Sequence, residues 1–531
     1  VALVASDDTS DSGGIAQTSL TNVKLPAFGS TAEYQLPSIV NAGIIKVEGK
    51  FEVPFDGVVQ VKVDPNSVRE PNMSELSELS ELDGKFLVSN AVHYEADAFN
   101  INDVTVTSDF SQGTNATVYK LKDVFMPGTS QAGITSGIAK FLSQSYSWDA
   151  IPEVTSDGNL NIWMKKFDYK DLLEGYWMED FGAILDGKYG NTGSEGDKIF
   201  DKLDKIETES GFLQEMSSLA GEVYANMSKR ELGIENTFSA TMEELQSSVN
   251  NTKENVKISI IAGKGKHSEK TDGIVDYNNV STGVLALREV ERTYRHTFGY
   301  SLGYMHTDFE FKDGNKSEEL ADTVQLGVHN KYKTDSWVLN NDLTGRVSMY
   351  NIDRNIDWEK SGISEMNGNY EAYSITSNNR IGREWDITDN IKVTPYGNLK
   401  ASYIARPTFS EKGTEALEIE GNDYWSVKPK LGVELTASAP IKNDLKLKGG
   451  LDVGYEYELV NQGSEKAKII AIEDDYHELA KMQKENGIIR TRASVGVEVE
   501  DRYGIFLNGE YSAGENNQED YRVGITLKAV F

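Results

Sequence analysis

A bond-making or bond-breaking site needs a nucleophile, a base or a metal, and the 531-residue chain offers few candidates. In PGTSQAG (127–133), Ser130 follows Gly128 and Thr129 and precedes ITSGIAKFLSQSY, a run with helical spacing. Such a serine attacks only when a histidine takes its proton and a carboxylate orients that histidine. His93, in AVHYEAD, is the single histidine that precedes Ser130, and no carboxylate motif accompanies the two. The six histidines are scattered, none at metal-ligand spacing from another, and there are no cysteines. No glycine-rich phosphate loop follows a strand and opens a helix. No cofactor, no metal and no catalytic residue is therefore expected, and Ser130 reads as the first turn of a helix.

The elements that would hold any site are dominated by strands. A formal net charge of −31 with 26% charged residues excludes a nucleic-acid role, which needs a basic surface. No run of 18 apolar residues occurs, so no transmembrane helix is expected. Membrane barrels remain open, because their strands are apolar only at alternate positions. The absence of cysteine suits a chain that crosses compartments unfolded. The chain opens VALVASDD, without an initiator methionine or a leader pattern, and Val1 is read as the start of a processed or truncated piece.

Three regions follow one another. Residues 1–130 hold short β-like runs (44–53, 58–63, 101–110) separated by Gly, Pro, Asp, Asn and Ser, as in a sandwich or a stacked β-solenoid. Within them PNMSELSELSEL spaces Leu76, Leu79 and Leu82 for one or two helical turns. Residues 131–236 form a junction, partly helical, with Ile199, Leu203, Ile206, Leu213, Met216, Leu219 and Val223 at helical spacing. A polar helix is expected over 237–253; its 17 residues at about 1.5 Å each reach roughly 25 Å.

Residues 254–531 break into twelve runs with period-two alternation, ending in YRVGITLKAVF. Short turns (292–296, 334–335, 386–390, 440–443, 501–503) alternate with mostly longer polar connections (266–279, 312–320, 353–367, 406–423, 461–487, 514–517). Strict alternation is the pattern of an up-and-down transmembrane barrel, with short turns at the periplasmic rim. In such a barrel Leu451, Val453 and Tyr455 meet lipid, while Glu434, Glu456, Glu458, Arg490, Arg492 and Glu498 face a polar lumen. An even strand number places both barrel ends, and Phe531, at the short-turn rim.

A polar helix of pore length, twelve antiparallel strands and a terminal aromatic together resemble the translocator domain of monomeric, type V secretion autotransporters. The resemblance covers 254–531 as barrel and 237–253 as pore helix. It implies that Tyr521, Val523, Ile525, Leu527 and Phe531 form the signal offered to the barrel assembly machinery. It further implies an outer-membrane location among lipids, a monomer, and a displayed passenger whose last solenoid coils are residues 1–130. A surface adhesin that binds host-cell or bacterial ligands is the expected passenger. Some members cut themselves at an asparagine pair in the pore helix, which would make Asn250 and Asn251 the cleavage position. Others carry subtilisin-like passengers, whose serine motif PGTSQAG resembles; a surface hydrolase is thus one alternative, and a passive channel barrel is the other.

Overall fold

The computed structural model of the chain describes residues 17–21, 44–52, 58–63, 66–76, 86–127, 138–247, 253–442, 444–460, 463–472, 475–482, 487–514 and 519–530. They fall into two compact units. One comprises Val1–Met216 with Asp357–Ile363 and Ala471–Glu473, the other the remaining residues from Ser217 to Phe531.

In the first unit, seven strands pair in parallel: β1 (Gln17–Thr21), β2 (Ile44–Glu52), β3 (Val58–Val61), β4 (Phe86–Asn90), β5 (His93–Val106), β6 (Val118–Pro127) and β7 (Ile138–Ser143). At 14 residues, β5 lies along β2 with its first half and along β3 with its second. Next, β6 and β7 repeat that split on the other side of β5. The strands therefore stack coil on coil, and like side chains stack with them: the Phe51 and Tyr94 rings lie 5.7 Å apart, Tyr94 and Phe125 5.1 Å. A hairpin of β8 (Trp148–Val154) and β9 (Leu160–Lys166) adds antiparallel strands beside β6.

Between β3 and β4, the leucine triplet supplies one described turn, α1 (Met73–Leu76), while Leu79 and Leu82 lie outside the described residues. Its buried member is Glu75, not a leucine. Arg69 binds that carboxylate at 2.9 and 3.0 Å and holds its pKa well below the usual range. Four further helices follow β9: α2 (Tyr169–Leu172), α3 (Glu179–Lys188), α4 (Ser194–Leu203) and α5 (Glu209–Ala220). Ile199, Leu203, Met216 and Leu219, picked out by helical spacing, are all buried on the last two.

The second unit is a closed antiparallel barrel of twelve wall strands. They are β10 (Glu254–Ser268), β11 (Tyr277–Thr293), β12 (His296–Phe311), β13 (Glu318–Lys333), β14 (Trp337–Trp358) and β15 (Gly362–Arg383), which β16 (Trp385–Thr388) prolongs. Then come β17 (Ile391–Arg406), β20 (Asn422–Lys442), β21 (Leu445–Glu456), β24 (Ile488–Val499), β25 (Tyr503–Ala513) and β26 (Glu519–Val530). Pairing of β26 with β10, from Val530↔Lys257 to Glu519↔Ser268, leaves the wall without an edge.

Several features depart from the sequence reading. The run ITSGIAKFLSQSY, expected as helix, is the strand β7 over Ile138–Ser143. The connection expected at 353–367 is strand, because β14 and β15 each run for 22 residues and turn only at 359–361. The two longest connections also hold structure: β18 (Phe409–Lys412), β19 (Leu417–Ile419), β22 (Lys466–Ile469) and β23 (His477–Glu478) pair into a small antiparallel sheet. Its alternate residues Leu417, Ile419, Ala467 and Ile469 are fully buried. Segments only two to four residues long were hidden among polar neighbours.

Candidate functional site

The barrel lumen is occupied by the chain itself. Helix α6 (Met227–Ser247) runs through it, starting ten residues before the expected 237. Its 21 residues give about 31 Å, enough to cross an apolar band of about 25 Å. The early start was missed because 228–236 (SKRELGIEN) shows no apolar stripe; its charged side chains are buried against opposite charges of the wall instead.

Charges on the helix meet opposite charges on the wall at successive levels. Nearest the long-loop rim, Lys229 lies 3.1 Å from Asp520 on β26, whose carboxylate also bonds His267 of β10 at 2.6 Å. Arg230 Nε sits 2.6 Å from Glu319 of β13, and its guanidinium lies 4.9 Å over the Phe311 ring. One turn apart on one face, Glu231 and Glu235 both reach Arg346 of β14, at 3.3 and 3.5 Å. Tyr350 donates to Glu231 at 2.7 Å, and Lys400 of β17 lies 3.3 Å from Glu235. Lower down, Glu243 pairs with Arg492 of β24, and Gln246 donates to Asp342 at 2.7 Å.

The helix C-terminus exposes carbonyls with no partner of their own. Two wall lysines satisfy them: Lys257 donates to Leu245 O at 3.0 Å and Lys331 to Gln246 O at 2.8 Å. Cations at this end also complement the helix dipole. Apolar side chains of the helix are buried as well, among them Leu232, Phe238, Met242 and Leu245. Leu232 packs with Ile404 and Tyr424, and Phe238 lies over Gly303, where an added Cβ would come within 2.7 Å of its ring.

Above the helix, residues 217–226 are tied to the long-loop rim. Arg354 of β14 forms a bidentate pair with Glu411 of β18, at 2.8 and 2.7 Å, both fully buried. Tyr224 donates to the same carboxylate at 2.5 Å, and Arg354 Nη1 donates to Ser218 O at 2.9 Å. Asn315 reaches Ser218 Oγ at 2.6 Å, and His477 of β23 bonds Ala220 O at 2.9 Å. Nearby, burial raises the Glu222 carboxyl to about 7 despite a 2.5 Å bond from Ser217. Beside the C-terminal half of the helix and toward the short turns, a cavity of about 740 Å³ remains, lined by Thr241, Glu243, Lys331, Glu434, Arg492 and Lys528 among others.

The sequence-selected lumen charges fall on the inner side. Glu434 binds Arg380, Glu456 lies 3.3 Å from Arg490, and Arg490 in turn lies 2.7 Å from Glu510. Glu498 bridges Lys448 and Lys528. Glu458, just past the end of β21, accepts from Ser426 at 2.5 Å and from Val427 N at 2.9 Å. Tyr521, Val523, Ile525 and Leu527 point outward and are about half exposed. Phe531, Asn250, Asn251 and Ser130 lie outside the described residues, and His93 Nδ1 sits 2.6 Å from Asp123 O. Sequence reasoning missed Lys229, Arg230, Glu231, Glu235, Arg346 and Arg354. The signal was present as an i, i+4 glutamate pair in a segment without an apolar stripe, and as inward-register arginines on one strand.

Residues 256–510 match the family described as the autotransporter β-domain, and residues 81–168 match the BigA β-sandwich domain. No curated protein matches the chain. Among solved structures, the translocator domain of the autotransporter NalP from Neisseria meningitidis aligns at 15% identity and TM-score 0.42, over 57% of this chain and 98% of its own. The transport unit of the autotransporter AIDA-I from Escherichia coli aligns at 12% and 0.38, over 56% and 98%. The β-domain of the Bordetella autotransporter BrkA aligns at 13% and 0.36, over 52% and 99%.

Proposed function

We propose that this chain, an outer-membrane autotransporter by its β-domain, holds its own passenger at the cell surface through the lumen helix and displays it as an adhesin. One observation carries the reading: α6 fills the lumen with its N-terminus at the long-loop rim, and 217–226 are bonded to that rim. The chain upstream must then leave the barrel on the outer side. The buried ion pairs favour a single seating of the helix, since a shifted helix would strand charges at several kcal/mol each. Filling the lumen also closes the route once export is complete. Parallel strand stacking upstream supports a passenger that offers a long binding surface to host-cell or bacterial ligands. No catalytic role is assigned to it.

The test is protease treatment of intact cells that express the whole chain. Release of fragments from before Ser217, with the barrel retained in the membrane, is expected. Retention of the upstream segment until cells are lysed would favour the passive-channel alternative. Adherence that persists after deletion of 86–166 would remove the adhesin assignment. For assembly, the outward register of Tyr521, Val523, Ile525 and Leu527 on the closing strand supports a role with the assembly machinery. Deleting Phe531 is expected to lower the yield of heat-resistant barrel, and an unchanged yield would count against that role.

A further inference from the structure

The barrel's outer face carries a polar row where lipid contact calls for apolar residues. Asn330, Asn341 and Asn379 sit on β13, β14 and β15 in the outward register of Val328, Leu343 and Ile381, all exposed. Their side chains form a directed chain. Asn330 Nδ2 donates to Asn341 Oδ1 at 3.4 Å, Asn341 Nδ2 to Asn379 Oδ1 at 2.8 Å, and Asn379 Nδ2 to Ser377 Oγ at 3.0 Å. His296 Nε2 pairs with Asn330 Oδ1. Each amide has a second N–H, and in hydrocarbon a donor without an acceptor is costly. Polar groups kept on a lipid face are a functional signal.

Two further features lie on the same flank of the barrel. Toward the short-turn rim, the Arg383 guanidinium stands 5.7 Å from the Trp337 ring and 5.6 Å from the Trp385 ring, with both indoles exposed. Toward the long-loop rim, Ala286 and Gly345 floor an open apolar groove of about 570 Å³, walled by Leu302, Leu326, Leu343 and Ile375. A Cβ added to Gly345 would meet nothing nearer than Ser374 O at 3.9 Å, so the space over it is free. Four residues separate Arg383 from Asn379, and four more separate Asn379 from Ile375. At about 3.3 Å per residue and a tilt near 40°, each step is about 10 Å along the membrane normal.

A cation held between indoles, amide donors about 10 Å deeper and a groove deeper still follow the order of phosphate, ester carbonyls and acyl chain in a glycerophospholipid. We propose that this flank binds one diacyl phospholipid of the short-turn leaflet. Its phosphate sits on Arg383, its ester carbonyls accept from Asn341 and Asn379, and one chain lies over Gly345. Charge complementarity selects the phosphate end, and the groove selects a lipid over a soluble phosphate. The proposal rests on the outer-membrane reading. Failure of that reading would leave the chain out of the outer-membrane fraction, whereas failure of this one would leave the barrel there without a retained lipid.

The test is native mass spectrometry of the whole chain extracted in mild detergent, with added phosphatidylglycerol, glycerol 3-phosphate or inorganic phosphate. One retained phosphatidylglycerol is expected, undisplaced by millimolar amounts of either small phosphate. Arg383→Gln should weaken retention about fivefold, the effect of one cation at a lipid surface. Gly345→Leu fills the groove without a clash and should abolish retention, and Asn341→Leu with Asn379→Leu should weaken it. Heat-resistant migration of each variant checks that it has folded. Equal retention by Gly345→Leu and the unaltered protein, displacement by glycerol 3-phosphate, or no lipid retained at all would each overturn the proposal.

Discussion

Two regions of the molecule, the Asp204 pocket of the first unit and the ion-paired barrel interior of the second, bury carboxylates in opposite ways. In the first, Asp204 is wholly buried and meets neutral donors: Trp148 Nε1 at 2.9 Å, Tyr169 OH at 3.3 Å and Tyr189 OH. Burial pushes its carboxyl up to about 6, and those hydrogen bonds offset only part of the shift. In the second, Glu231, Glu235, Glu319 and Glu411 are as deeply buried, yet each faces an arginine or a lysine. A packed apolar core tolerates a lone carboxyl by favouring its protonated form. The barrel interior instead sets these four carboxylates against arginines and lysines. The first arrangement makes stability depend on pH, and the second makes it depend on keeping partners together.

The largest effect that could break this contrast is at Arg354. Arg354→Met leaves Glu411 buried with only neutral donors, which costs about 3–5 kcal/mol. The temperature at which the folded barrel loses its heat-resistant migration should fall accordingly. Adding Glu411→Leu removes the stranded charge and should restore most of the loss. If the double variant is no better than the single one, charge matching is not what holds the rim.

Asp204 supplies the next effect, with a defined sign. Its folded pKa of about 6 exceeds the ordinary 3.8. Stability is therefore fully present below pH 3.8 and is lost as pH rises toward 6, by about 3 kcal/mol in all. Asp204→Asn keeps an acceptor for Trp148 but cannot ionise. The gap in unfolding midpoint between Asp204→Asn and the unaltered chain, read by tryptophan fluorescence, should move in favour of the variant between pH 4 and pH 7. A gap that stays constant over that range would show that Asp204 carries no such penalty.

The sequence made the wall legible and the lumen only partly so. Alternation in 489–499 separates outward Ile489, Val495 and Val497, each more than a third exposed, from inward Arg490, Arg492 and Glu498 because strand geometry has a period of two. Loop alternation then fixes the up-and-down order. Pairing across the lumen has no such signature: Glu243 meets Arg492 and Lys400 meets Glu235 at separations that follow from closure and helix seating. The start of α6 was hidden for a related reason. Helical segments are found by an apolar stripe, and SKRELGIEN buries charge instead. The rim sheet of β18, β19, β22 and β23 escaped because each strand is shorter than the windows that reveal a period.

The smallest expected effect tests the same contrast by holding geometry constant. Lys198 and Glu195, one turn apart on α4, approach to 2.7 Å, the same distance as Arg354 to Glu411. Distance alone would make the two pairs equivalent. Both partners on α4 are about 60% exposed, however, and both at the rim are buried. Water screens the α4 pair and solvates either member when the other is removed, so its worth is about 0–0.5 kcal/mol. Lys198→Ala should leave the unfolding midpoint of the first unit nearly unchanged, and raising the salt concentration should not alter that result. A loss comparable to that of Arg354→Met would mean that proximity, and not burial, sets the strength of ion pairs in this protein.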